Sequence, residues 1–159
     1  YPFNIKNELL VDAGRNQDAV AGQAVLFFPE NESGRSEVKG LLVGKIREVF
    51  DDVSSVQTIF DSRWQSAVRI GGRGVEALLT GGNQPRLTLI NKDKKIETGD
   101  IVYNTSPDFP YGLPIAEVFN AELSADHLFR EANLNFGYHI NNIRNILILK
   151  NFSGVSLKK

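Results

Sequence analysis

The stretch Lys95–Val118, KIETGDIVYNTSPDFPYGLPIAEV, carries the clearest structural pattern in the chain. Gly99-Asp100 precedes a short apolar strand at Ile101–Asn104, and a second strand begins at Pro114. The link between the two strands is rich in proline and glycine, which is typical of an irregular corner. It contains no nucleophile–base pair, no metal-binding set and no phosphate-binding loop. The stretch therefore predicts β-structure whose function depends on shape and surface.

Similar apolar runs and period-2 alternation recur along the whole chain, and Gly, Asn, Asp and Pro separate them. The pattern predicts an all-β protein of about eleven strands, enough to favour barrels or two packed sheets. The predicted strands are Leu9–Val11, Ala24–Phe28, Leu41–Val49, Val56–Phe60, Ala67–Ile70, Val75–Leu79, Arg86–Leu89, Ile101–Asn104, Pro114–Ala121, Leu128–Phe136 and Asn145–Lys150.

Helix is predicted only as two single turns. Ser124 is expected to cap one over Ala125–Leu128, and Ile140–Ile143 forms the other. Pro29–Lys39 is polar and predicts a hairpin loop, while Ser153–Lys159 predicts a disordered tail. The remaining residues 1–152 are expected to form one β-domain of two lobes.

Composition narrows the functional class. The net charge of −1, from 18 Lys+Arg against 19 Asp+Glu, argues against nucleic acid as a partner. The absence of cysteine excludes disulfides and thiolate chemistry. No apolar run approaches the roughly 20 residues that span a bilayer. Since the chain starts at Tyr1 and has no methionine, we expect a processed product or a fragment whose anchor lies elsewhere.

Three short motifs resemble functional sites but have simpler structural interpretations. Gly72–Ala77 matches a dinucleotide fingerprint, yet Gly81-Gly82 follows too soon for the helix that such a site requires, so a hairpin turn is predicted. Gly44 lies in an apolar strand and predicts a bulge or a close backbone approach, not a phosphate loop. Asp51-Asp52, with Asp61 nearby, could supply paired carboxylates, but Asp51-Asp52 more simply forms a turn.

Two histidines leave one catalytic alternative open. His127 and His139 lack the spacing of a metal site, so no metal and no cofactor is predicted. A Ser–His–Asp triad assembles in space and is not excluded by sequence order, although no serine lies in a glycine elbow. A hydrolase of trypsin-like barrel architecture is therefore the alternative to a non-enzyme.

Aromatic residues in predicted loops are the remaining candidates. Phe109 and Tyr111 flank Pro110 in the corner, and Trp64 follows Asp61 in another loop. Exposed aromatic side chains are favoured anchors for protein partners, and an exposed Trp64 or Tyr111 could also bind a sugar ring. The three residues are candidate partner-binding residues, with a peptidoglycan-binding module as a further alternative.

The order of these motifs resembles the extracytoplasmic β-domain of the rod shape-determining protein MreC family. Leu9–Gly14 and Val20–Val25 resemble its opening, Ser55–Asp61 resembles a later strand, and Leu147–Leu149 fits its closing strand. Gly99–Val102 and the corner Pro110–Ile115 resemble the family's most recognisable run. The resemblance covers about Asn7 to Asn151. The positions that carry it as a structural signature are Gly14, Gly22, Gly44, Asp61, Gly99, Asp100, Pro110, Gly112 and Pro114.

The chain departs from this family pattern at three places. The link Asn104–Asp108 is shorter and lacks a glycine-rich insert, Ala116 stands where glycine is usual, and the Pro29–Lys39 loop is longer. These differences bear on the shape of the corner and on the choice of partner.

The resemblance implies a fold of two small six-stranded barrels and a non-catalytic scaffold of the cell-elongation complex. It implies binding to a penicillin-binding transpeptidase, shifting that enzyme toward an active form, and links to MreD, MreB and RodA. Self-association is also implied. The domain would then lie at the outer face of the cytoplasmic membrane, anchored by a single membrane helix outside this chain.

Overall fold

The structure, a computed structural model, describes residues 4–5, 7–29 and 40–150. Its strands are all paired antiparallel and form two six-stranded sheets. In chain order the elements are β1 (Asn4–Ile5), β2 (Glu8–Val11), the 3-10 turn η1 (Arg15–Gln17), β3 (Ala24–Phe27), β4 (Leu41–Val49), β5 (Ser54–Thr58), β6 (Gln65–Ile70), β7 (Val75–Thr80), β8 (Arg86–Asn91), β9 (Ile101–Asn104), β10 (Pro114–Leu123), β11 (Phe129–Asn135), the 3-10 turn η2 (Ile140–Asn142) and β12 (Ile146–Ile148).

The all-β prediction is confirmed, and each predicted strand overlaps an observed one. Two elements were missed, β1 and η1, because elements of two or three residues are too short to show a period. The turn predicted at Ile140–Ile143 is present as η2. At Ser124 the structure has the turn of the β10–β11 hairpin instead of a helical turn. The Ser153–Lys159 tail, and all of the Pro29–Lys39 loop except Pro29, lie outside the described residues.

The second sheet is a closed barrel with strand order β10-β11-β8-β7-β6-β9. Pairing between β9 and β10 completes the ring, with Ile101 opposite Glu117 and Tyr103 opposite Pro114. Strand alternation fills its interior, since Ser66, Val68 and Ile70 of β6 are buried while Ala67, between the first two, is exposed.

Among the described residues the first sheet is a curled, open half-barrel with strand order β1-β2-β5-β4-β3-β12, so one of the two expected six-stranded barrels is observed as closed. Within the described residues its edge strands, β1 and β12, span two and three residues and do not pair with each other. The core beneath this sheet receives Ile143 from the segment that follows η2, together with half-buried Tyr138. In a closed barrel, further paired strands would cover this core. Here the side chains of a connecting segment cover it instead.

The two sheets share hydrophobic core because β3 and β4 are buried on both faces. Val25 and Val43 point into the core of the first sheet. Leu26 and Leu42 belong instead to the cluster that fills the barrel. Since apolar residues line both faces, these strands read as continuous apolar runs and not as alternating ones.

Gly44 shows why a glycine interrupts β4. The β3–β4 register slips by one residue here, because Val25 faces Gly44 while Leu26 faces Leu42. A Cβ at Gly44 would lie 2.2 Å from the Gln57 carbonyl oxygen of β5. The predicted bulge and the predicted close backbone approach are both present. Within the described part of the chain, no helix has the length and apolar character to cross a membrane.

Candidate functional site

The corner between β9 and β10 is organised by one buried side chain, Asn104. Its Nδ2 donates to the carbonyl oxygens of Ser106 (3.1 Å) and Pro110 (3.2 Å), and its Oδ1 accepts from the Ser106 amide at 3.1 Å. Its backbone pairs with the far side of the corner, because Asn104 N donates to Leu113 O and Gly112 N donates to Asn104 O. A single residue therefore fixes both ends of the loop.

The proline-rich sequence explains why a side chain must do this. Pro107, Pro110 and Pro114 have no N–H, so the corner has few backbone donors of its own. Gly112 turns the chain with φ +80°, in the left-handed region that favours glycine. Asn104 was missed as a site residue from sequence, although an Asn at a strand end ahead of Thr-Ser-Pro is a signal for side chain-to-backbone bonding.

On the inner side of the corner, Phe109 and Trp64 are each only 3% exposed. Their rings stack with centroids 5.7 Å apart and an interplanar angle of 12°. Lys45 Nζ lies 5.7 Å from the Trp64 ring centroid, and Trp64 Nε1 donates to Ser66 Oγ at 3.1 Å. Two of the three candidate anchors are thus packed into the protein, so Trp64 is not a surface platform for a sugar.

On the outer side, the third candidate, Tyr111, is 68% exposed. Arg69 Nη1 donates to Tyr111 Oη at 3.0 Å, and the Arg69 guanidinium carbon lies 5.3 Å from the Tyr111 ring centroid. The same guanidinium lies 5.9 Å from the ring of Tyr103, the cross-strand neighbour of Arg69. Tyr111 is therefore exposed and held in position at the same time.

An apolar strip continues from Tyr111 along the outer face of β9 and β10. Ile101 lies two residues before Tyr103 and points to the same face, with 39% exposure. Phe119, 61% exposed, is the diagonal neighbour of Ile101 on β10, because Ile101 pairs with Glu117. We call Tyr111, Tyr103, Ile101, Phe119 and the intervening Arg69 the aromatic strip.

Gly99-Asp100 fixes the far end of the aromatic strip. The Gly99 amide donates to Val118 O at 2.8 Å, and the Val118 amide donates to Asp100 O at 2.9 Å. The Asp100 carboxylate accepts from the Glu97 amide, and Thr98 Oγ1 donates to Phe119 O. The signature pair thus continues the β9–β10 pairing to the position of Phe119.

The other signature residues lie away from the aromatic strip and have structural contacts. Asp61 is buried where the chain leaves the first sheet, and it accepts from the Arg63 amide, Nε and Nη2 at 2.8, 3.0 and 2.8 Å. Hydrogen bonding to Arg63 lowers the pKa of Asp61 from 3.8 to about 2. Gly14 lies against the backbone of Asp51, and Gly22 N donates to Ile46 O at 2.8 Å.

The catalytic alternative has no supporting geometry among the described residues. His127 and His139 are exposed, and neither imidazole has a hydrogen bond to a serine hydroxyl in the described ranges. Ser124 Oγ donates directly to the Asp126 carboxylate, whereas a triad places histidine between the two. No group of three or more His, Cys, Asp or Glu residues in the described part of the chain could hold a metal ion.

The Gly-rich motif and the Asp51-Asp52 pair both form the turns that the sequence predicted. Residues 71–74 form the turn of the β6–β7 hairpin, and a strand follows where a dinucleotide site would need a helix. Asp51 and Asp52 lie in the exposed turn between β4 and β5, where Arg15 and Asn16 pair with them. Both interpretations are confirmed.

Comparison with known proteins agrees with the fold. No curated protein matches the chain. Three solved structures have a similar fold. MreC from Pseudomonas aeruginosa is 22% identical, with 90% of this chain and 88% of that chain covered and a TM-score of 0.76. The major periplasmic domain of the cell shape-determining filament MreC is 21% identical, with 87% of this chain and 82% of that chain covered and a TM-score of 0.61. MreC in a complex with penicillin-binding protein PBP2 from Helicobacter pylori is 14% identical, with 89% of this chain and 96% of that chain covered and a TM-score of 0.58.

A family description assigns the chain independently of these structures. The description "Rod shape-determining protein MreC, barrel core" matches residues 1–150. That range includes both sheets, the corner and the aromatic strip. The chain therefore belongs to the MreC family of rod shape-determining proteins, and its two sheets are the family's barrel core.

Proposed function

We propose that this chain is the extracytoplasmic β-domain of a non-catalytic scaffold, and that it binds a penicillin-binding transpeptidase during cell elongation. The observation that carries the proposal is the family match over residues 1–150. A family member of the same fold has been solved in complex with PBP2. An exposed surface that contains Tyr, Phe and Arg, residue types enriched at protein interfaces, adds support from this chain itself.

Activation of the transpeptidase is the mechanistic part of the proposal. A scaffold shifts a partner toward an active conformation only if it binds that conformation more tightly than the inactive one. The β-domain would supply this difference in affinity from a rigid surface. Links to MreD, MreB and RodA, anchoring at the outer face of the cytoplasmic membrane, and self-association belong to the same proposal.

The direct test is binding to the ectodomain of the transpeptidase from the same organism. Isothermal titration with the folded β-domain is expected to give a dissociation constant in the micromolar range or below. Transpeptidase activity measured with and without saturating β-domain then tests activation. A folded domain that shows no binding at these concentrations contradicts the scaffold function, and binding without stimulation contradicts only the activation step.

A further inference from the structure

We propose that the aromatic strip on β9 and β10 is the docking surface for the transpeptidase, and that the partner presents an apolar surface flanked by Lys or Arg. This inference rests on the proposed function, because it identifies where on this chain the partner binds. It assigns contact to Tyr111, Ile101 and Phe119. Buried Trp64 and Phe109 support the corner from behind.

The strip is organised in the manner of a binding hot spot. Binding costs less free energy when interface side chains are already ordered. Arg69 supplies that order at Tyr111 through a hydrogen bond and a ring contact, and it extends this contact to Tyr103. At the other end, the backbone of Phe119 is held by Thr98. The Tyr111 ring is therefore held in place, and Phe119 projects from a backbone position that is anchored on the barrel.

The charges beside the strip indicate the chemistry of the partner. Glu76 lies directly across from Arg69 on β7, and Glu117 lies directly across from Ile101. Both carboxylates are exposed, and in the described part of the chain neither forms an ion pair. The Arg69 guanidinium contacts the rings of Tyr103 and Tyr111, and it forms no ion pair with Glu76 in the described part of the chain. An apolar surface with two unpaired carboxylates beside it is complementary to an apolar patch flanked by cations.

The same charges disfavour two other occupants. In a symmetric dimer whose two-fold axis passes through Ile101, the neighbouring Glu117 would lie close to the same carboxylate of the second chain. Anionic lipid headgroups would be repelled in the same way. A basic and apolar protein surface is the occupant that fits.

The test uses point variants of exposed strip residues and matched controls elsewhere. Tyr111→Ala and Phe119→Ala remove the two most exposed rings of the strip, and each is expected to weaken binding to the transpeptidase ectodomain about tenfold or more. Phe50→Ala is the control, because Phe50 is 50% exposed in the β4–β5 turn of the first sheet. It is expected to leave affinity unchanged. Circular dichroism checks that each variant is folded.

Charge reversal tests the chemistry of the partner separately. Glu117→Lys is expected to slow association and to reverse the effect of added salt, because it replaces attraction with repulsion. Asp12→Lys is the matched control, because Asp12 is an exposed acid directly after β2. Sedimentation of the β-domain alone measures self-association in the same variants.

The outcomes separate this inference from the proposed function. If the wild-type domain does not bind the transpeptidase, the proposed function fails. If wild type binds and the strip variants bind equally well, the scaffold function stands and the docking surface is overturned. Loss of self-association without loss of transpeptidase binding would assign the strip to a second copy and also overturn the inference.

Discussion

Asp61 is a nearly buried carboxylate whose neighbour, Arg63, is largely exposed to solvent. Hydrogen bonds from Arg63 lower the pKa of Asp61 to about 2, even though burial alone would raise it. The ionised side chain lies in the segment that carries the chain from the first sheet to the barrel. Its charge state therefore contributes to folding stability.

Asp61→Asn is expected to reduce the free energy of unfolding by about 1 kcal/mol at pH 7. The pKa shift alone would give more, but the exposed Arg63 is screened by water. Because the folded-state pKa of Asp61 is lowered, its contribution is complete above the unfolded pKa of 3.8 and disappears as the pH falls to about 2.

Urea unfolding of wild type and Asp61→Asn between pH 7 and pH 2 measures this directly. The difference between the two curves is expected to be constant down to about pH 5 and then to shrink toward zero. Asp12→Asn is the control, since Asp12 is exposed. A difference that persists unchanged at pH 2 would contradict the role given to ionised Asp61.

Side-chain exposure at the candidate residues could not be predicted from sequence. Phe109 and Tyr111 are separated by one residue, yet one is buried against Trp64 and the other is exposed on Arg69. The sequence correctly indicated an aromatic corner. Which ring faces outward depends on Trp64 and Arg69, which are distant in sequence.

Among the secondary-structure elements, the strands were the most predictable feature. A strand buried on one face alternates apolar and polar residues, and a strand buried on both faces is a continuous apolar run. Only β1 and η1, of two and three residues, were missed. The pairing of strands followed less directly from the pattern. β9 pairs with β6 and β10, and β12 pairs with β3, so contacts distant in sequence set the sheet order.

The end of β7 packs against the segment between the two sheets through Gly81. Its amide donates to Trp64 O at 2.9 Å. A Cβ at this position would lie 2.1 Å from Asp61 O and 2.6 Å from Ile59 O. Because the nearest atoms are backbone atoms, the clash cannot be relieved by a side-chain rotation.

Gly81→Ala is accordingly expected to destabilise the protein by about 2–4 kcal/mol, as measured by chemical denaturation. Gly72→Ala is a matched control in the β6–β7 turn, where an added Cβ meets no atom within 4 Å. It is expected to change stability by less than about 0.5 kcal/mol. Equal stability of the two variants would contradict the close approach at Gly81.

At the scale of the whole molecule, the two sheets are joined by a common core. Leu26 and Leu42 come from the first sheet but belong to the cluster that fills the barrel, and both are buried. Half-buried Tyr138 packs against the cores of both sheets. The structure therefore predicts one cooperative folding unit.

Equilibrium unfolding tests this with two probes. Fluorescence of Trp64, the single tryptophan, reports on the junction, and far-ultraviolet circular dichroism reports on both sheets. The two transitions are expected to coincide. Leu42→Ala is expected to lower stability by about 2–5 kcal/mol and to shift both transitions together. Separate transitions would show that the sheets unfold independently.

The sequence by itself determined the all-β class, most strand positions and the signature by which the family resemblance was found, since these depend on local patterns and their order. The tertiary structure decided that one sheet closes while the other stays open, because closure depends on pairing between distant strands and on short edges. It also decided which aromatic residues reach the surface. Asn104, Arg69 and Trp64 set that outcome through contacts that no local pattern contains.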